Sequence, residues 1–287
     1  MISKLFRHSD PYHAREQVQR QICLSKMFSD EAARARTCSA DEIEPSLASA
    51  SEHTLEALLE NPCLDETHIC RLLERKDLST ALLESIAAHK EWLRNRRIRL
   101  RLVAHPHTPR RIALRLAREI YPMDLVAVSL SLATPAEIRR FVEDLLLSRL
   151  PQLPLGQKLA LGRRGSARVA GALLADGHER VVRVAIENAR LTEAQVLRSL
   201  AAPALSPNVI AIIGVHAKWS PLATVRAAIV RHPRAPLDLV FSLVPFLSLR
   251  DLEDFVGLTE LRQEVRDTIR QHRDGRARGP DHRRSEF

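Results

Sequence analysis

The sequence predicts an all-α protein, an α-solenoid of stacked short helices, and three observations carry that expectation. Leu, Ala and Arg dominate, nine Gly stand against 16 Pro, and aromatic residues make up 4%. This composition favours helices with short Pro-marked connections over a sheet. Slid against itself at an offset of 127, the chain pairs 39–128 with 166–255 without a gap, and 24 of the 90 pairs are identical. Finally, the same punctuation recurs in both stretches: Asn61, His89 and His105 follow one another at intervals of 28 and 16, and so do Asn188, His216 and His232. Self-similarity at fixed spacing marks a repeat architecture, in which each unit buries its apolar face against its neighbour.

Taken along the chain, residues 1–38 form an N-terminal extension with an amphipathic pattern around Ala14 to Met27. Copy A spans 39–128. Its helices announce themselves by start signals, Asp65 before "ETHICRLLER" and Thr108-Pro109 before "RRIALRLAREI". A Ser, Thr or Asp at the N-cap accepts a bond from an orphan backbone N–H, and Pro at the first helical position loses no useful donor. Residues 129–165 connect the copies, with "TPAEIRRFVEDLLLSRL" at 134–150 as a longer helix. There Thr134 reads as N-cap, Pro135 as the first helical residue and Glu137 as the partner in a capping box. "PQLPLGQK" at 151–158 reads as a joint. Copy B spans 166–255, with Thr192-Glu193 and Ser220-Pro221 as start signals. Apolar residues inside the stretches recur at helical spacing: Ile69, Leu72 and Leu73; Val196, Leu197 and Leu200; Leu222, Val225 and Ile229; Leu249, Leu252, Phe255 and Val256. Each stretch therefore offers one stripe for burial. Residues 256–272 suit a polar capping helix, and 273–287 hold too little apolar surface to fold and are expected to be a disordered basic tail.

The turn phrases "ENP-L", "HPHTP", "ENARLT", "HAKWS" and "HPRAP" resemble those of bacterial HEAT-like repeat proteins, specifically the leucine-rich-repeat-variant type, over roughly 39–256. The resemblance implies a helical-repeat fold far more than an activity. One variant-repeat protein carries an N-terminal cysteine cluster for an iron–sulfur centre, and this sequence has no matching cluster.

Several function classes are disfavoured by composition and motif. No stretch approaches the roughly 18 uncharged apolar residues of a membrane span, and the first twenty residues lack the apolar core of a secretory signal, so a cytoplasmic chain with no membrane partner is expected. Cys23, Cys38, Cys63 and Cys70 are too few and too irregular for a disulfide framework and contain no CxxC pair, so neither metal nor cofactor is expected. There is no P-loop, G-x-S-x-G or H-E-x-x-H, and a non-enzymatic protein is the expectation. DNA-glycosylase-like chemistry, by analogy with HEAT-like repair enzymes, is the enzymatic alternative.

The repeated histidines first suggest ligands. Each, however, occupies an equivalent place in its own copy, and Asn stands in the same role at Asn61 and Asn188, so closing helices explains them better than coordination. Trp92 and Trp219 are equivalent too, and inter-helix packing is the simpler reading, with base stacking as the alternative. The arginines differ. The formal net charge is +9. From Lys90 to Ile120 copy A holds ten basic and two acidic residues, a net of +8, whereas 217–247 holds four basic and one acidic, a net of +3. The scaffold does not demand this charge. Helical periodicity places Arg94, Arg97 and Arg101 on one stripe, with Arg110 and Arg111 opening the next helix. Arg94, Arg96, Arg97, Arg101, Arg110, Arg111, Arg115 and Arg118 are therefore the candidate partner-binding residues. The expected partner is a protein with an acidic or phosphorylated surface, and nucleic acid is the alternative.

Overall fold

The computed structural model describes residues 30–258 and 261–277, and among them every regular element is a helix. The chain divides into two units, 1–120 with 131–139, and 121–130 with 140–287. The first contains α1 (30–37), α2 (Ala40–Ser49), α3 (Glu52–Leu58), α4 (Glu66–Leu72), α5 (Thr80–Ala88), a 3-10 turn at Trp92–Arg94, α6 (Arg96–Ala104) and α7 (Arg110–Ala117). The second contains α8 (Pro122–Leu130), α10 (Leu155–Arg164), α11 (Ala167–Leu173), α12 (Glu179–Ile186) and α13 (Glu193–Leu200). It continues through α14 (Pro207–Val215), α15 (Ala223–Arg231), α16 (Leu237–Leu243), α17 (Leu249–Val256) and α18 (Gln263–Ala277). Helix α9 (Ala136–Arg149) has residues in both units.

The element bounds carry a regularity. Starts at 40, 52, 66, 80, 96, 110, 122 and 136 recur at 167, 179, 193, 207, 223, 237, 249 and 263, each 127 residues further on. In the first unit α2 packs on α4 and α4 on α6, while α3 packs on α5. In the second, α11 packs on α13 and α13 on α15, while α10 packs on α12 and α12 on α14. In these pairs a helix rests on the next but one, and polar side chains span some of the same pairs. Arg71 pairs with Glu44, Arg75 donates to the Leu47 carbonyl at 2.9 Å, and Ser199 donates to the Gly171 carbonyl at 3.0 Å.

Most residues of the predicted apolar stripes lie in the core: Ile69, Leu72, Leu73, Val196, Leu200, Val225, Ile229, Leu252 and Phe255 are buried, while Leu197, Leu222 and Val256 are half-buried. Each such side chain contributes roughly 1.5–3 kcal/mol by leaving water. Leu249 departs from its stripe and is 52% exposed, because it is the first residue of α17.

Several predicted starts are displaced. Asp65 caps α4 as expected, its Oδ1 accepting from the Thr67 and His68 amides at 2.9 Å. Thr108 does not cap α7. It is buried, and its hydroxyl donates to the Leu102 carbonyl at 2.6 Å, leaving Pro109 at the N-cap. Thr134 is likewise buried and donates to the Ala104 carbonyl at 3.1 Å, so α9 starts at Ala136, and Glu137 pairs with Arg110 at 2.7 Å instead of closing a capping box. After Ser220-Pro221 the N-cap falls at Leu222. In the two threonine cases the hydroxyl bonds a carbonyl near the end of α6 rather than an amide of its own helix.

The segment 151–158 is not a bare joint: a 3-10 turn at Leu150–Gln152 leads into α10. The capping helix expected to end at 272 runs on to Ala277 as α18, so 273–277 are helical and do not belong to a tail. The remainder of the predicted tail, the amphipathic pattern at Ala14 to Met27, and Cys23 lie outside the described residues. Among the described residues no helix is long and apolar enough to cross a membrane.

Candidate functional site

Asn61, Asn188, His105 and His232 tie the turns that follow their helices to earlier parts of the chain. Asn61 is buried. Its Nδ2 donates to the carbonyls of Ala35 and Cys38 at 2.8 and 3.1 Å, and its Oδ1 accepts from the Cys63 amide at 2.8 Å. Asn188 repeats the set: Nδ2 to the Gly162 and Gly165 carbonyls at 2.6 and 3.2 Å, Oδ1 from the Arg190 amide at 2.8 Å. His105 and His232 do the same with a ring. Their Nδ1 atoms accept from the amides of His107 and Arg234 at 3.2 and 3.1 Å, and their Nε2 atoms lie 2.8 and 3.1 Å from the carbonyls of Arg75 and Ala202. Those bonds fix the neutral tautomer with hydrogen on Nε2.

The two histidines follow their helices in extended rather than left-handed backbone, with φ −72° and ψ 134° at His105. Their rings bind the carbonyls of an earlier helix end, not those of the helix they close. Burial pushes the His105 imidazole below its ordinary value, His107 and Lys76 add to that, and the Arg75 carbonyl and Asp77 oppose it. Among the described residues no three His, Cys, Asp or Glu side chains gather as a metal site. Cys38 and Cys70 are half-buried thiols pushed upward by burial, Cys70 against the opposing pull of Arg101 and Arg97.

The eight candidate arginines all belong to the first unit, but they do not share one helix face. The sequence stripe Arg94–Arg97–Arg101 is interrupted: Arg94 ends the 3-10 turn, and Asn95 caps α6 by accepting from the Arg97 amide at 2.8 Å. Arg96, Arg97 and Arg101 lie on α6, which packs on α4. Arg101 is half-buried there, donating to the Cys70 carbonyl and to Glu74 Oε1, the latter at 2.7 Å.

Arg110, Arg111 and Arg115 lie on α7, and Arg118 closes it. Arg111 and Arg115 line an open cleft of about 320 Å³ with Glu84, Ala87 and Ala88 of α5. Arg115 makes a long bond of 3.5 Å to the Ala87 carbonyl. Arg94, Arg96, Arg97, Arg110, Arg111, Arg115 and Arg118 are exposed. Of these, the side chains of Arg94, Arg97 and Arg111 make neither hydrogen bond nor ion pair within the described residues. The arrangement is one arginine group beside α4, another beside α5, and Arg94 on the turn that touches both α5 and α6.

That turn holds a feature that residue types alone do not reveal. Trp92 and Trp219 stand 127 residues apart, each three positions after a His, yet their surroundings differ. Trp219 is 2% exposed and its indole N–H donates to the Ile186 carbonyl at 3.3 Å, with Lys218 4.2 Å from the ring centroid. Trp92 is half-buried, its N–H has no acceptor among the described residues, and the exposed His89 stacks on it at 4.0 Å between centroids and 30° between planes. The sequence does not separate the two, because both follow a His by three positions.

A second site also escapes sequence reasoning. In the second unit, Leu197, Ala201, Ala223, Thr224, Ala227 and Ala228 line an open groove of about 600 Å³. The positions 127 residues earlier carry Cys70, Glu74, Arg96, Arg97, Leu100 and Arg101, mostly larger side chains than those lining the groove.

Comparison of the chain with known protein families, with curated proteins and with solved structures returns no match.

Proposed function

We propose that this chain is a non-enzymatic α-solenoid of HEAT-like character, built from two related copies, that works in the cytoplasm as an adaptor for an acidic or phosphorylated macromolecule. The repeat reading is supported by the recurrence of helix starts at one fixed offset and by the packing of several helices in each unit on the next but one. The binding reading rests chiefly on one observation: arginines that copy B lacks stand exposed in copy A, and Arg94, Arg97 and Arg111 are not used by ion pairs within the described residues. A guanidinium so placed is free to take a carboxylate or phosphate through two parallel bonds.

The test is capture of partners from native lysate by the full chain and by the triple variant Arg94→Glu, Arg97→Glu, Arg111→Glu, with and without nuclease. The reading expects the variant to lose the captured material while its melting temperature stays within a degree or two of the parent, since exposed charges contribute little to stability. Capture that is indifferent to the three reversals refutes the assignment of the face.

A further inference from the structure

We infer that the polyanion read by this face is single-stranded nucleic acid, with a base stacking on the His89–Trp92 pair and the adjoining phosphates held by Arg94 and Arg97. The inference rests on the arginine-face reading above and names its ligand.

Charge alone does not separate a phosphate chain from an acidic protein surface, but the turn at 89–97 holds more than charge. The duplicated copy supplies a control: where Trp219 is sealed in the core with its N–H bonded, Trp92 keeps part of its surface open and carries an exposed imidazole on its ring. A scaffold that needs only a wedge at this position has one in Trp219. The open version occurs in the copy that also carries the additional arginines.

The turn is compact. The Leu93 amide donates to the His89 carbonyl, the Asn95 amide to the Trp92 carbonyl, and Asn95 caps α6 through the Arg97 amide. Trp92 and Arg94 open and close the same three-residue 3-10 turn, and Arg97 stands in the first turn of α6 immediately after it, so ring pair and cations belong to one short stretch of chain. Lys90 is exposed on the same turn; the acids nearby are Glu91, also exposed, and Glu66, which is occupied by Asn95. Bases of a duplex are already stacked on one another, whereas a single strand presents faces that an aromatic pair can extend, with the backbone free to follow cationic side chains.

The experiment uses the full chain and a fluorescein-labelled oligo(dT) of about twelve nucleotides, followed by anisotropy near 50 mM and near 200 mM salt. Expected results are binding that falls steeply with salt, a loss of about ten-fold in Trp92→Ala and a measurable loss in His89→Ala, whose exposed site secures folding of the second variant. Arg94→Glu with Arg97→Glu should flatten the salt dependence by about 1.4 in log–log slope. A matched duplex should compete poorly.

Oligonucleotide binding that both aromatic variants leave intact, but arginine reversal removes, overturns the stacking inference and leaves the face standing. Binding of poly-glutamate or a phosphopeptide with none of oligo(dT) also overturns the inference while the face survives. Failure of all three probes sinks both.

Discussion

The Nε2 of His105 lies 2.8 Å from the carbonyl oxygen of Arg75, and the ring is tied at its other nitrogen to the His107 amide. The Arg75 guanidinium in turn donates to Asp77 at 3.1 and 2.8 Å and holds that carboxyl down at about 2. The turn after α4 and the turn after α6 are therefore one hydrogen-bonded object, and its tolerance of acid follows from the histidine.

His105 is buried and neutral in the fold, with its proton affinity depressed below the ordinary value near 6.5. As pH falls below that value the unfolded chain takes up a proton that the folded chain resists. Stability therefore declines on the acid side of about 6.5, and the loss is complete once pH passes the folded-state value. Asn at this position keeps an acceptor for the His107 amide and a donor for the carbonyl, as Asn61 does, without titrating. Urea unfolding at pH 7.5 and 5.0 should show a larger drop in the parent than in His105→Asn. Parallel drops in the two proteins would mean that His105 carries none of the acid sensitivity.

Asn188 uses both its donor and acceptor ends while only 3% exposed. Asn188→Ala strands two carbonyls and an amide, and a buried group left unsatisfied costs roughly 1–3 kcal/mol. Asn188→Asp still accepts from Arg190 but cannot donate to the Gly162 and Gly165 carbonyls, and it sets a negative charge against them. The ordering in chemical denaturation should be parent, then Ala, then Asp as the least stable. An Asp variant as stable as the parent contradicts the assigned bond directions.

How much of this is legible in the residues depends on range. Asp65 is legible because a cap is a bond to an amide two or three positions on, and residue type encodes it. Thr108 and Thr134 have the same chemistry but spend it on carbonyls of an earlier helix, a tertiary choice that no local rule records. The Arg94–Arg97–Arg101 stripe breaks at Asn95, and here the signal is present, since Asn is a favoured N-cap and its place in the middle of the stripe argues against one continuous helix. The difference between Trp92 and Trp219 lies in the packing around each ring and is not visible in the residues themselves.

Arg101 and Arg111 should separate structure from recognition. Arg101 holds the Cys70 carbonyl and Glu74 across the α6–α4 contact with about a third of its side chain exposed, so Arg101→Glu, facing Glu74, should lower stability by on the order of 1 kcal/mol after allowance for screening. Arg111, exposed and without such bonds, should tolerate reversal with no shift in thermal midpoint while reducing polyanion binding. Equal thermal losses in the two variants would show that Arg111 is structural as well.

The two tryptophans give the sharpest internal comparison, because substitution is identical and only the environment changes. Trp219→Ala empties a fully enclosed site and strands the Ile186 carbonyl, so a loss of about 3–5 kcal/mol is expected. Trp92→Ala removes a partly exposed ring whose N–H has no acceptor among the described residues, and whose stacked neighbour is an exposed imidazole rather than packed core. Its cost should be clearly smaller, because less area leaves water and no buried partner is orphaned. Acrylamide quenching of the two single-tryptophan proteins, made with Phe at the other site, should rank Trp92 as the accessible fluorophore. Quenching of Trp219 as strong as that of Trp92 would erase the asymmetry between the copies, and with it the argument that Trp92 is kept open for a ligand.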